Sequence, residues 1–225
     1  MSTSSPKTNS QNISPMHGHV PSPASRAYFA WKAGKLDVGA LNQLESGKHF
    51  PATVGGLEDP FAPQDVPSAV PPKDDKIASA GHPAAAFLDK PGDDWEKHPV
   101  QSGDTLAVSW GFSARHSTRR WNYFLTKPDW NSALPLSRAQ FEATPFHMVE
   151  NKQQPYWDHR EDMLPPDPTL HHLLLPTRVG YHVLLGVWEV AETGAAFYQV
   201  IDLLFGAGNR PDKPTGLIAS NVTDA

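Results

Sequence analysis

The sequence predicts an all-β fold, a β-sandwich with one long ordered excursion from its sheets, and three observations carry that prediction. Its 23 prolines and 16 glycines mark frequent turns. Charged residues, at 19%, lie below the usual ~25%, while the 39% hydrophobic share is enough to bury a core. The strongest apolar segments are strand-length runs separated by turn signals, the pattern of a sandwich rather than a helical bundle. The 225 residues suffice for one large or two small domains, at roughly 100–200 residues each.

Residues Met1–Met16 are rich in Ser, Thr, Asn, Gln and Pro and read as a disordered leader. From His17 to Tyr28 the chain is extended, with Pro21 and Pro23 pushing their predecessors out of helix. Asp37–Leu44 reads as a short helix: Asp37 is an N-cap residue, and Val38, Leu41 and Leu44 recur every three positions. Trp31–Pro99 as a whole is expected to leave the sheet, and ordered loops of that length are usually functional. Thr105–Phe112 alternates as a strand, Trp121–Thr126 is an aromatic strand, and Ser137-Arg138-Ala139-Gln140 has capping-box form, predicting a short helix through Phe141. Gly180–Val190 and Phe197–Phe205 are the clearest strands, with Gly194 suited to the tight turn between them. Gly206–Ala225 is again polar, and no internal repeat is present.

A net charge of −5 gives no basic face for nucleic acid. No segment approaches the ~18–20 apolar residues of a membrane span, so no membrane partner is expected. Without cysteine, disulfides, thiolate metal sites and cysteine nucleophiles are excluded. The leader has neither the charged start nor the apolar stretch of a secretory signal.

Eleven histidines raise the question of a metal. His49, His82, His98 and His159 lie in loop-like sequence and read as solvated side chains. His171 and His172 are adjacent, so in an extended chain they point to opposite faces and do not share a metal. His182 falls on the face of Leu184, Trp188 and Val190, where a hydrogen-bonded core histidine is expected, and His147 has no informative partner. His116 differs: it follows the Thr105–Phe112 strand at a sheet end, where sites are commonly built.

Five segments then resemble one family in order and spacing: His17-Gly-His-Val-Pro-Ser-Pro-Ala-Ser-Arg-Ala-Tyr28, Lys76–Gly81, Ser113–Trp130, Pro135–Phe146 and His182–Asp202. Together they are similar to the bacterial lytic polysaccharide monooxygenases of auxiliary activity family ten, once described as chitin-binding proteins. The resemblance implies a fibronectin III-like or immunoglobulin-like β-sandwich with a loop-and-helix insertion after the first strand. It also implies a division into leader 1–16, domain 17–205 and polar tail 206–225. One copper ion would be held by a histidine brace: the α-amine and ring of His17, as mature N-terminus, and the ring of His116. Nitrogen ligands in a plane with open positions suit copper. Ala114 matches the small residue crowding one axial position and Phe197 the aromatic filling the other, with Trp188 packed beneath.

The implied reaction is oxidative cleavage of an insoluble polysaccharide, with chitin favoured and cellulose the alternative. Dioxygen or hydrogen peroxide is the co-substrate and an external donor supplies electrons. Phe61, Gln64 and Glu192 match substrate-facing positions, and the protein is expected to act as a monomer. In Phe61-Ala-Pro-Gln-Asp-Val-Pro67 both acidic positions of the family's surface loop are missing, leaving Glu58, Asp59 or Asp65 to compensate. The family's cysteines are absent, and its Asp and Asn before the axial aromatic are Glu192 and Ala195. The resemblance implies secretion, whereas the leader's composition leaves a cytoplasmic address or non-classical export as the alternative. While Met16 remains attached, the nitrogen of His17 is an amide and not a ligand, so exposure of His17 is expected to decide the chemistry. A non-catalytic carbohydrate-binding or adhesion protein on the same fold is the competing reading.

Overall fold

The computed structural model describes residues 18–206, and within them the chain folds as two packed antiparallel layers with a helical insertion. His17, the leader and the tail beyond Gly206 lie outside the described residues. The smaller sheet has the order β1 (Gly18–Ser22), β4 (Thr105–Phe112), β7 (Thr169–Leu174). The larger runs β2 (Glu45–Gly47), β9 (Ala195–Phe205), β8 (Gly180–Val190), β5 (Thr118–Leu125), β6 (His147–Glu150). A sixth strand, β3 (His98–Val100), lies parallel to the far end of β9.

The central strands β8 and β9 are buried on both faces, which explains why they read as nearly continuous apolar runs. One face meets the smaller sheet: Leu184, Trp188 and Val190 of β8 and Phe197, Ile201 and Leu203 of β9 pack with Val108, Trp110 and Leu173. The opposite face, through Val183, Leu185, Val187, Tyr198 and Val200, is covered by the insertion, including Ala27, Leu41, Leu44 and Phe50. Gly186 gives β8 room beneath Trp110, where a Cβ would make a tight 3.2 Å contact with the indole.

The insertion is tied down by specific polar bonds. Helix α1 (Arg26–Lys32) is capped by Ser25, whose hydroxyl accepts from the Tyr28 amide and donates to Gln199. The guanidinium of buried Arg26 meets Asp202 of β9 in a two-bond fork, 2.8 Å at each oxygen. Helix α2 (Val38–Asn42) is capped by Asp37, which accepts from the Ala40 amide at 2.8 Å, as its sequence predicts.

Three expectations need correction. Residues 31–99 do not leave the sheet entirely: β2 pairs with β9 as an edge strand, and β3 rejoins it at the other end. Ser137 starts only a 3-10 turn, Arg138–Gln140, and its hydroxyl makes no capping bond, so the motif lacks the bond that would extend it. His49 and His98 are not simply solvated. Arg120 lies 2.9 Å from His49 Nδ1, and His98 Nε2 lies 2.9 Å from the Ala24 carbonyl with its ring stacked on Phe29.

Candidate metal centre

One end of the sandwich gathers segments far apart in sequence. Strand β4 ends at Phe112, the bend 113–117 turns the chain, and β5 leaves from Thr118, which places His116 at the sheet edge. The ring is held from three sides. It stacks on Phe197 with centroids 6.0 Å apart and tilts against Trp188 at 5.8 Å, while Trp188 and Phe197 stack on each other at 4.9 Å. Its Nδ1 lies 2.9 Å from Glu192 Oε1. The Trp188 indole N–H donates to Thr118 Oγ1 at 2.7 Å, and that hydroxyl donates to the His116 carbonyl at 3.2 Å.

With Nδ1 engaged, Nε2 is the nitrogen of His116 left for a metal. An imidazole whose second nitrogen bonds a carboxylate is the usual arrangement of a metal-binding histidine. Phe197, beneath the ring, has no donor atom. Ala114 is half-buried in the same bend, two residues before His116.

The start of β1 reaches the same end. Gly18 pairs with Phe112, and a Cβ on it would lie 2.9 Å from the Trp188 ring and 3.0 Å from Phe112. The residue after His17 is therefore pressed against the same indole that touches His116. Among the described residues no three His, Asp or Glu side chains converge to hold a metal. Among the described residues the site offers one oriented imidazole nitrogen, a donor type that copper accepts, and His17, the other ligand residue expected from the sequence, lies outside the described residues.

The acidic residues near this histidine are not those expected from the sequence. Asp59 accepts from Arg119 at 2.6 and 3.0 Å, and Asp65 lies 3.0 Å from the ammonium of fully buried Lys48. Against the cost of burial, the Phe61 amide and the two neighbouring arginines hold the Asp59 carboxyl below its usual value. Both acids thus belong to a structural charge network, and Glu58 is simply exposed. Besides Glu192, a carboxylate within electrostatic reach of His116 is that of Glu45. It sits on β2 opposite Phe197. One side of it reaches solvent, yet burial raises its pKa, and the charge of His116 opposes that rise. A three-residue strand is too short to show periodicity, so no pattern in the sequence singled Glu45 out.

Phe61 and Gln64 are both exposed, Phe61 to 88%. Their loop is fixed to this end because the Gly194 carbonyl accepts from the Ala69 amide at 2.7 Å and from the Lys48 amide at 3.2 Å. Gly194 itself is required, since a Cβ would lie 2.4 Å from the Pro67 carbonyl. Glu192, expected to face substrate, instead has both oxygens engaged, one by His116 and the other by Arg160 at 2.6 Å. A second loop converges here. Asn151 Nδ2 donates to the Thr118 carbonyl, Ser117 Oγ to Arg160 O and the Thr118 amide to Met163 O. This loop presents Trp157, 52% exposed and edge-on to Tyr156. Neither Arg160 nor Trp157 stood out in the sequence.

A family profile described as lytic polysaccharide mono-oxygenase, cellulose-degrading, matches residues 17–203, from the first candidate ligand into β9. The chain belongs to the lytic polysaccharide monooxygenases of auxiliary activity family ten. Its structure is similar to a chitin-binding domain from Burkholderia pseudomallei, with a TM-score of 0.83 and 50% identity over 85% of this chain and 100% of that one. It is also similar to a Bacillus amyloliquefaciens family member in complex with Cu(I) (TM-score 0.61, 30% identity, 84% of this chain and 99% of that one). Among curated relatives, GlcNAc-binding protein A of Vibrio cholerae is 43% identical over 144 residues, which is 64% of this chain and 27% of the relative. The match therefore spans only about a quarter of that longer protein. Copper binding and a histidine brace are features of this monooxygenase family.

Proposed function

We propose that this monooxygenase-family chain is a copper-dependent enzyme that cleaves glycosidic bonds oxidatively in an insoluble polysaccharide, with chitin the first substrate and cellulose the second. The observation that carries the proposal is His116, its Nδ1 held by Glu192 and its ring seated on Phe197, at the end where Gly18 packs on Trp188. His17, exposed as an N-terminus, would hold copper with His116. Bound copper supplies redox chemistry, using dioxygen or hydrogen peroxide and an external electron donor to attack a C–H bond of the sugar.

The chain's own residues do the rest. Phe197 and Trp188 form a dry floor that keeps the His116 ring in one orientation and excludes water from beneath it. Glu45, on β2 opposite Phe197 and within electrostatic reach of His116, is the carboxylate this reading assigns to hold or pass a proton. Phe61 and Trp157 on the two rim loops offer exposed rings that can lie against sugar faces, in keeping with the chitin-binding and GlcNAc-binding names of the relatives.

The test begins with protein recovered from its producing cells and the mass of its N-terminal peptide. Chains that begin at His17 are then incubated with copper, ascorbate and chitin or cellulose, and oxidised oligosaccharides are measured. The proposal predicts such products from chitin and none from a His116→Ala variant. Chitin binding without any oxidised product would leave only the non-catalytic binding role.

A further inference from the structure

Glu192 is bonded in two opposed directions at once. Its Oε1 lies 2.9 Å from His116 Nδ1, and its Oε2 accepts from Arg160 Nη2 at 2.6 Å. The carboxylate itself is only 14% exposed, whereas the Arg160 side chain is 58% exposed. An inner histidine, a half-enclosed carboxylate and an outer arginine thus form a line from the Phe197 floor to the rim.

We propose that Arg160 and Glu192 are a positioning pair that sets the tautomer of His116, keeping its proton on Nδ1 and its lone pair on Nε2. An ionised carboxylate only accepts hydrogen bonds, so the nitrogen facing it must carry the hydrogen. A neutral imidazole has one N–H, and the other nitrogen is then the one able to bind a metal. Left to itself in water, a histidine favours the opposite tautomer, with the proton on Nε2, so the choice must be imposed. Arg160 contributes by occupying Oε2, which stops the carboxylate from swinging away from the ring. It is itself anchored: Ser117, the residue after His116, donates its hydroxyl to the Arg160 carbonyl at 3.2 Å, and Thr118 donates its amide to Met163 O at 2.9 Å. The loop bearing the arginine is therefore tied to the bend bearing the histidine. An ion pair this exposed adds less than about 1 kcal/mol to stability, so the fold does not depend on it. Its effect falls on the ring.

This proposal rests on the reading of His116 as a metal ligand, but it can be tested without metal. The copper-free full chain, labelled with ¹⁵N-histidine, is measured by long-range ¹H–¹⁵N correlation at alkaline pH, where imidazoles are neutral. A His116→Gln sample assigns the resonance. The wild-type protein should show the proton on His116 Nδ1. Glu192→Leu should move most of it to Nε2, and Arg160→Ala should give an intermediate mixture with an unchanged Tm. Glu192→Gln, whose side-chain carbonyl can still accept, should keep the wild-type tautomer. In chains beginning at His17, Glu192→Leu should weaken Cu(II) binding by about 10- to 100-fold.

A wild-type His116 protonated on Nε2 would overturn the proposal without any variant having to fold. So would a Glu192→Leu spectrum identical to wild type. An Arg160→Ala spectrum identical to wild type would remove the arginine from the pair. If the tautomers behave as stated but His116→Gln binds Cu(II) as tightly as wild type, the positioning stands and the metal reading fails.

Discussion

Two histidines in this protein, His116 and His171, occupy similar surroundings and serve different ends. Each ring lies against a tryptophan, His116 on Trp188 at 5.8 Å and His171 edge-on to Trp121 at 4.7 Å. Each has its Nδ1 engaged, by Glu192 at 2.9 Å in one case and by the Tyr123 hydroxyl at 2.6 Å in the other. The partners make the difference. Tyr123 is neutral and itself accepts from Trp110 Nε1 at 2.9 Å, so His171 belongs to an uncharged chain inside the sandwich. Burial, helped by His147 and His172, lowers its pKa to about 4. Glu192 is a carboxylate linked to an arginine at the rim, so His116 has an anionic anchor on one side and an open nitrogen on the other. A histidine beside aromatic rings is therefore not in itself a site. The charge and exposure of the group holding its other nitrogen decide.

The largest effect that can sharpen this contrast is on metal binding. His116→Ala should lose Cu(II) affinity by well over the roughly 100-fold that removing an outer partner costs. His171→Gln should leave it within a few-fold of wild type, as read by calorimetric titration of chains beginning at His17. Equal losses in the two variants would erase the distinction.

Acid sensitivity should follow His171. The folded pKa of His171 lies below its unfolded value near 6.5, so between these two values the unfolded chain binds more protons. Its contribution is therefore full above about pH 6.5 and falls with pH down to about 4, by roughly 3 kcal/mol in all. Urea unfolding at several pH values should show this loss, and His171→Gln should flatten the curve in that window. An unchanged slope in the variant would mean that other groups cause the acid sensitivity.

The smallest effect expected is that of Tyr123→Phe, which leaves the Trp110 N–H without its acceptor and His171 without its partner. A stability loss of about 2 kcal/mol follows from an unpaired buried polar group, with Cu(II) affinity unchanged. A change in affinity would show that the core chain and the surface site are coupled through Trp121 and Trp188, which stack at 6.5 Å.

The same contrast explains what was legible in the sequence. Strands β8 and β9 were plain because both faces are apolar and Gly194 marks the turn between them. Strand β7 was hidden because its pattern is inverted: Thr169 and His171 point inward, where Pro166 O and Tyr123 satisfy them, while Leu170 and Leu174 are exposed. His116, Phe197 and Trp188 were legible through the family's motifs. Glu45 and Arg160 were not, because one lies on a three-residue edge strand and the other in an irregular loop, and only the closed sandwich brings them to His116. Asp59 and Asp65, considered as replacements for the family loop's missing acids, are used by the fold to neutralise Arg119 and Lys48.

The double burial of β8 and β9 has a consequence for motion. Amides shielded on both faces open only when the whole domain opens, so these strands should be among the slowest to exchange hydrogen with solvent. Trp188 and Phe197 belong to them. The rim, built from loops 57–70 and 151–165, should exchange orders of magnitude faster. The ring of His116 thus stands on the most slowly breathing part of the molecule, while the surface that would meet a sugar chain is free to adjust on a far shorter timescale.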